Sequence, residues 1–320
     1  MNENSTASTL RRHEKYDHLI AAAKSLQPIA TAVAHPCDET SLRGAVEAGE
    51  AGLIKPILVG PKDKIAAAAK QYSLNLGNIE IVDVPHSQAA AEKAVELVRT
   101  GKADLLMKGS LHTDELLSEV MKRETGLRTG RRVSHVFVMD VPGHAQTLFI
   151  TDAAVNIAPD LISKRDIIQN AIDLYAGLGL GIPKVAILSA VETVTSTIPS
   201  TIEAAALCKM ADRGQITGGE LDGPLAFDNA ISPEAARIKG IKSQVAGQAQ
   251  ILVVPDLEAG NMLAKNLTFL SHADAAGIVL GARVPIILTS RADHVRTRMA
   301  SCAVAALLRH SQMAKQPIRA

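Results

Sequence analysis

Apolar positions along the chain fall into two alternating kinds of run. Short β-branched runs bounded by Gly or Pro predict strands over 29–34, 57–60, 79–84, 104–107, 134–139, 147–151, 185–189, 251–254, 277–280 and 284–288. Ala-rich runs with helical spacing predict helices over 10–26, 39–51, 62–72, 88–100, 113–123, 164–178, 200–210, 259–268 and 294–310, with short ones over 227–230 and 233–239. Between them lie a basic loop over 125–132 and a polar, Gly-rich stretch over 214–223 that reads as a loop. Strand–helix alternation of this kind predicts an α/β fold on a parallel, doubly wound sheet. The 320 residues exceed the usual size of one core, so two domains are expected. No Pro/Ser-rich linker separates them. The last helix is therefore expected to return to the first lobe, with 1–145 plus 284–320 as a discontinuous first lobe and 146–283 as the second, the dimerisation lobe.

Composition narrows the function classes. Aromatics are only 2% and Trp is absent, so the core must be built from Ala, Val, Leu and Ile, and base-stacking nucleic-acid platforms are disfavoured. With 34 basic and 33 acidic residues the net charge is +1, which argues against a basic nucleic-acid stripe. An anionic ligand must then meet a local pocket. The three cysteines are far apart and form no CxxC pair, so a reducing, cytoplasmic setting is expected, with no disulfide framework and no metal site. No apolar run reaches membrane-spanning length.

The most informative segment is Val284-Pro-Ile-Ile-Leu-Thr-Ser-Arg-Ala-Asp293. A buried strand that runs into a helix through hydroxyls, a guanidinium and a carboxylate puts those groups at the carboxyl end of a sheet. Open α/β sheets bind ligands there, and the first turn of a helix favours an anion. Lys108, Gly109, His112 and Thr113 follow the strand over 104–107 in the same way; Lys108 and backbone donors can hold an anion, and Thr113 is the expected N-cap. The ordinary alternative is a turn with an exposed lysine. Arg123, Arg128, Arg131 and Arg132, with Lys122, form a basic cluster from which one guanidinium, represented by Arg131, can grip a phosphate; such clusters are more often solvated surface. Asp152 and Asn156 lie at another strand end, where an Asx-type turn is the plainer reading. Asp256 suits an N-cap, whereas Gly260 and Asn261 inside a helix suggest close approach of something bulky.

Five stretches in order, Ala103-Asp-Leu-Leu-Met-Lys-Gly109, Phe149-Ile-Thr-Asp-Ala-Ala-Val-Asn-Ile-Ala-Pro159, Pro255-Asp-Leu-Glu-Ala-Gly-Asn261, Ala273-Asp-Ala-Ala-Gly-Ile-Val-Leu-Gly281 and the segment ending at Asp293, resemble the phosphate acetyltransferase/phosphate butyryltransferase family. The resemblance implies interconversion of a short-chain acyl-CoA and phosphate with an acyl phosphate and CoA. It also implies two lobes with a cleft between them, similar to the isocitrate/isopropylmalate dehydrogenases, and a homodimer. Coenzyme A enters as a substrate, and no cofactor or metal is implied. By the same resemblance Ser290 would hydrogen-bond the reacting carbonyl and Arg291 would bind phosphate. Acetyltransferases of the family assign the thiol base to an Asp seven residues beyond the Ser; that position is Thr297 here, and an Arg that they use 22 residues before the Ser is Thr268. Asp293 is the nearest carboxylate and the expected substitute. Two other readings stay open: a metal- and NAD(P)-dependent hydroxy-acid dehydrogenase of the same fold, and a non-catalytic CoA- or acyl-phosphate-binding protein.

Overall fold

The computed structural model describes residues 14–289 and 295–315. Ser290, Arg291 and Asp293 therefore lie outside the described residues. Helix α1 (Glu14–Lys24) leads into a chain that divides into two compact units, one of residues 18–131 with 276 onward, the other of 132–275 with the residues up to 17. The first passage between them falls just before the Ser134–Asp140 strand. Residue 145 lies between two paired strands that both belong to the 132–275 unit.

In the 18–131 unit the chain runs β1 (Ile29–Ala34), α2 (Glu39–Glu50), β2 (Ile54–Gly60), α3 (Lys62–Gln71), β3 (Glu80–Asp83), α4 (Ser87–Arg99), β4 (Leu105–Lys108) and α5 (Thr113–Val120). The 132–275 unit holds β5 (Ser134–Asp140), β6 (Leu148–Thr151), α6 (Leu161–Gly177), β7 (Lys184–Leu188), α7 (Pro199–Asp212), β8 (Glu220–Leu225), α8 (Phe227–Ile231), α9 (Pro233–Ile238), β9 (Ile251–Val253) and α10 (Leu257–Phe269). Strand β10 (Asp274–Leu280) then leads back into the 18–131 unit, which β11 (Ile286–Ile287) and α11 (Val295–Lys315) complete. Side-chain caps set several helix starts: Asp38, Asp160 and Asp256 each accept a backbone N–H from three residues on.

Strand order in the 18–131 unit is β3-β2-β1-β4-β11-β10, parallel except for the antiparallel β10–β11 pair. In the other unit it is β5-β6-β9-β7-β8, parallel except for β5–β6. The expected parallel sheet thus carries two antiparallel hairpins. Pro142-Gly143 with Gly143 at φ 80°, and Gly281 at φ 85°, supply turns short enough for antiparallel return, where a parallel crossover needs a dozen residues or more.

Several elements also differ from their expected limits, β2, β8 and β11 among them. β2 begins at Ile54 despite Pro56, which a strand interior normally excludes. Pro56 pairs with Thr31 of β1, but β3 joins β2 only from Ile57 onward, so Pro56 faces a partner on one side alone. The Gly-rich stretch over 214–223 ends in a strand, β8, which pairs only with β7 at the end of its row. β11 pairs over two residues, not five.

The core is aliphatic, as the composition requires. It contains one unusual member, His135 in β5, fully buried with its ring 4.4 Å from that of Phe137. Neither ring nitrogen finds a hydrogen-bond partner among the described residues. Burial pushes its pKa from 6.5 down to about 4, opposed by the charge of Asp152. Between these values the unfolded chain binds a proton that the native state refuses, so stability falls as pH drops through 6.5 and the loss is complete near 4. The full loss is about 3 kcal/mol at 1.36 kcal/mol per pKa unit. Urea denaturation of His135→Leu between pH 7 and 4 should show a shallower decline than the wild type; parallel declines would show that His135 contributes nothing to acid sensitivity.

Candidate functional site

Strands β1, β4 and β11 are parallel neighbours, so their carboxyl ends share one edge of the 18–131 unit, the place where such sheets bind ligands. The register pairs Ala34 with Lys108 and Met107 with Ile287. His35, Gly109 and Thr289 therefore follow at one level on the three strands. Lys108 is buried, with its ammonium 3.4 Å from the Gly109 carbonyl. It is not the exposed lysine of an ordinary turn. A buried cation at a strand end is a preformed counter-charge for an anion.

Gly109 is required by close approach. A Cβ there would lie 2.2 Å from the Ala34 carbonyl oxygen and 2.6 Å from that of His35. The gap is closed by Gly109 N–H donating to Ala34 O at 2.9 Å and Ser110 N–H donating to His35 O at 2.9 Å. The Ser110 hydroxyl donates to His35 O at 2.7 Å and accepts from the Cys37 N–H at 3.2 Å. His35 itself sits in left-handed backbone at φ 55°, with Nδ1 3.0 Å from Ser110 Oγ. Burial and, next, the charge of Lys64 lower its pKa, so the imidazole is neutral at pH 7. Burial also pushes the Cys37 thiol up to about 11, which leaves it protonated and a poor nucleophile.

The other expected residues on this edge are placed differently. His112 is exposed and occupies the N-cap position of α5 without a side-chain cap bond; Thr113 is the first helical residue, not the cap. Thr297 is buried in the first turn of α11, where its carbonyl accepts the Ser301 hydroxyl at 2.9 Å. Arg131 is exposed at the end of the basic loop, its N–H donating to Thr129 Oγ1 at 3.1 Å.

The 132–275 unit gathers Asp152, Asn156, Asp256 and Asn261 around the carboxyl ends of β6 and β9. Asp152 is buried and accepts the N–H groups of Ala154, Val155 and Asn156 at 3.0, 3.0 and 3.2 Å. Asn156 donates its amide to Val133 O and to Asp152, and accepts Arg132 Nε at 2.7 Å. The plainer reading holds for this pair: Asp152 and Asn156 are spent on shaping a turn. Asp256 caps α10, with Oδ1 2.8 Å from Ala259 N, as the sequence suggests. The bulky neighbour inferred for Gly260 and Asn261 is the turn itself. A Cβ on Gly260 would lie 2.6 Å from Val254 Cγ2 just after β9 and 2.9 Å from Ala153 Cβ in the turn, and Asn261 Nδ2 donates to Ala153 O at 3.3 Å. Removing the buried acceptor in Asp152→Ala leaves three N–H groups unpaired and should cost about 3 kcal/mol, the penalty for breaking a buried charged network. Thermal melts of Asp152→Ala against Asp152→Asn measure it; a melting temperature within a degree of wild type for Asp152→Ala would refute the bracing role.

Sequence reasoning missed His35 and Ser110, and it did not single Arg132 out of the basic cluster. His-Pro-Cys-Asp directly after a buried strand was the available signal for His35. Histidine is among the residues enriched in left-handed backbone, but that preference alone does not single out this position.

Comparison with known proteins gives the same picture. Residues 87–306 match the family described as phosphate acetyl/butaryl transferase. A phosphate acetyltransferase of Rhizobium meliloti is 74% identical over 94% of this chain and 96% of its own length. A phosphate butyryltransferase of Clostridium acetobutylicum is 43% identical over 92% and 98%. Among solved structures, a branched-chain phosphotransacylase from Enterococcus faecalis V583 superposes with a TM-score of 0.77 at 31% identity, covering 88% of this chain and 99% of that one. A 4-hydroxythreonine-4-phosphate dehydrogenase from Burkholderia phymatum shares the fold at a TM-score of 0.52 and 14% identity, over 88% and 98%. With a family match over most of its length and relatives this similar at full coverage, this chain belongs to the phosphate acetyl- and butyryltransferase family.

Proposed function

We infer that the protein is a phosphate acyltransferase that interconverts a short-chain acyl-CoA and phosphate with an acyl phosphate and CoA. The observation that carries this reading onto the structure is the edge at β1, β4 and β11, where buried Lys108 stands beside a glycine that admits no side chain. In the acyl-phosphate-forming direction, phosphate held by Arg291 and Lys108 attacks the thioester carbonyl. Ser290 donates to the developing oxyanion, and CoA departs as its thiolate. Each donor aimed at such an oxyanion lowers the barrier by about 3 kcal/mol. In the opposite direction a CoA thiol, with an ordinary pKa of ~8.5, needs a proton acceptor. Thr297 cannot serve; Asp293 is the acceptor nearest to Ser290 and Arg291 in sequence.

The finer architecture belongs to the same proposal. The fold is of the two-lobed isocitrate/isopropylmalate dehydrogenase kind, and the active form is a cytoplasmic homodimer with CoA as substrate and no cofactor. Likeness in fold to a 4-hydroxythreonine-4-phosphate dehydrogenase supports a dehydrogenase-like fold. Three widely spaced free cysteines support the reducing compartment. His112, Thr113, Arg131, Asp152, Asn156, Asp256 and Asn261 complete the proposed substrate-binding surface. The last four act there by holding turn backbone in place. Assaying thiol release from a panel of acetyl-, propionyl-, butyryl- and isobutyryl-CoA, with and without phosphate, tests the reading. Release that depends on phosphate for at least one of them supports it; release that ignores phosphate refutes it.

A further inference from the structure

Thr297 stands where the family resemblance implies a carboxylate base and is itself buried, and Asp293 is tied to the site by sequence alone. His35 has the placement and the chemistry. It directly follows β1, level with Gly109 on the neighbouring strand and with Thr289 one strand further, so it shares the edge that Lys108 charges. Gly109, lacking a side chain, lets the two backbones close to hydrogen-bond distance.

The hydrogen bonds around Ser110 fix which ring nitrogen of His35 is protonated. A serine hydroxyl has one hydrogen. At 2.7 Å from the His35 carbonyl, which can only accept, that hydrogen must lie between the two oxygens. Ser110 Oγ therefore meets His35 Nδ1, 3.0 Å away, as an acceptor, and Nδ1 carries the proton. Nε2 is left with its lone pair, and it makes no hydrogen bond to a described residue. The ring is half-buried. This is the arrangement in which a neighbour orients a histidine so that its outer nitrogen serves as base.

We propose that His35 is the proton carrier for the CoA thiol in this reaction. The proposal rests on the acyltransferase reading above. When CoA attacks an acyl phosphate, Nε2 takes the thiol proton and sulfur forms its bond to the carbonyl carbon. The bond from that carbon to the phosphate oxygen then breaks with its electron pair on phosphate, and the imidazolium proton passes to solvent. In reverse, imidazolium returns a proton to the departing thiolate. Ser110 is the positioning residue that holds the proton on Nδ1 and leaves the Nε2 lone pair to accept one.

Among the described residues, the charged and titratable groups near His35 are Cys37 and Asp38 after β1, Lys64 on α3, Lys108 on β4 and Glu115 on α5. Lys64 opposes protonation, Asp38 and Glu115 favour it, and burial outweighs them all. The rate of CoA consumption should therefore fall on the acid side with a midpoint below 6.5, the ordinary imidazole value.

His35→Asn is the informative variant, because Asn tolerates left-handed backbone and can still bond Ser110 but cannot carry a proton. Its kcat with CoA and acetyl or butyryl phosphate should drop on the order of 10²-fold, with KM for CoA and melting temperature little changed. Its acid limb should disappear. His35→Gly should recover activity when free imidazole is added, a response that a purely structural role would not give. Asp293→Asn should keep the wild-type acid limb. A His35→Asn enzyme with wild-type kcat and acid limb, or loss of that limb in Asp293→Asn alone, overturns the proposal. A wild type that shows no phosphate-dependent transfer removes the acyltransferase reading instead, so the two failures are distinguishable.

Discussion

Arg291→Ala will cut phosphate-dependent release of thiol from acetyl- or butyryl-CoA by on the order of 10²–10³-fold or more, the loss typical of one preorganised charge or donor at a reacting oxyanion. Phosphate brings up to two negative charges to a thioester carbonyl that itself becomes negative in the transition state. Two like charges approaching within a bond length need a fixed cation. A guanidinium stays ionised in any site and can hold two phosphate oxygens at once. Lys108 supplies one cation on the β4 end, but a point charge does not orient phosphate for attack. Arg291→Lys should consequently recover only a small part of the rate, mainly as a lower KM for phosphate. Ser290 and Arg291 come directly after Thr289 in sequence, and their roles follow from the resemblance to the family. Ser290→Ala should lose on the order of 10²-fold in kcat with KM nearly unchanged, since its donor is used in the transition state more than in the ground state. Full activity in Arg291→Ala would remove that residue from the mechanism.

Gly109→Ala will abolish activity and lower stability together. The added methyl would sit 2.2 Å from Ala34 O and 2.6 Å from His35 O, both backbone atoms of a paired strand. No side-chain rotation relieves that clash. The end of β4 must move away from β1 by about an ångström, and overpacking of this kind costs about 1–3 kcal/mol. The two hydrogen bonds from Gly109 and Ser110 to β1 break in the process, and Lys108 and Ser110 leave their positions. A displacement of about 1 Å at reacting groups is enough for a loss of 10²-fold. Melting temperature and kcat should therefore fall together. Gly77→Ala makes a useful control, because a Cβ there meets nothing within 4 Å and the cost is limited to its left-handed φ of 49°. A Gly109→Ala protein with wild-type kcat would show that the corner is not the working site.

Much of this architecture was legible because apolar runs and their punctuation are local. The Asp256 cap and the strand–turn–helix corner at Lys108 follow from residues adjacent in sequence. What stayed hidden depends on partners distant in sequence. The Asx turn read at Asp152 is plain from the sequence, but that three N–H groups and the Asn156 amide converge on it is not. β8 carries Gly223-Pro224 within its run and lies at the end of its row of strands, where few neighbours demand a regular apolar pattern. The antiparallel returns of β5–β6 and β10–β11 were concealed by the dominant strand–helix rhythm, although Pro142-Gly143 marked the first. His112 drew notice as the histidine nearest Lys108 in sequence. His35 lies 73 residues before Lys108 and reaches the same edge only through the pairing of β1 with β4.

The central claim is that this protein moves an acyl group between CoA and phosphate. Phosphorus NMR of the purified protein with butyryl-CoA or acetyl-CoA and inorganic phosphate tests it most directly, with free thiol measured in the same sample. The account predicts a new acyl phosphate resonance that grows in step with free thiol, one for one, until equilibrium. Thiol without acyl phosphate would identify a thioester hydrolase and contradict the account, as would the absence of both.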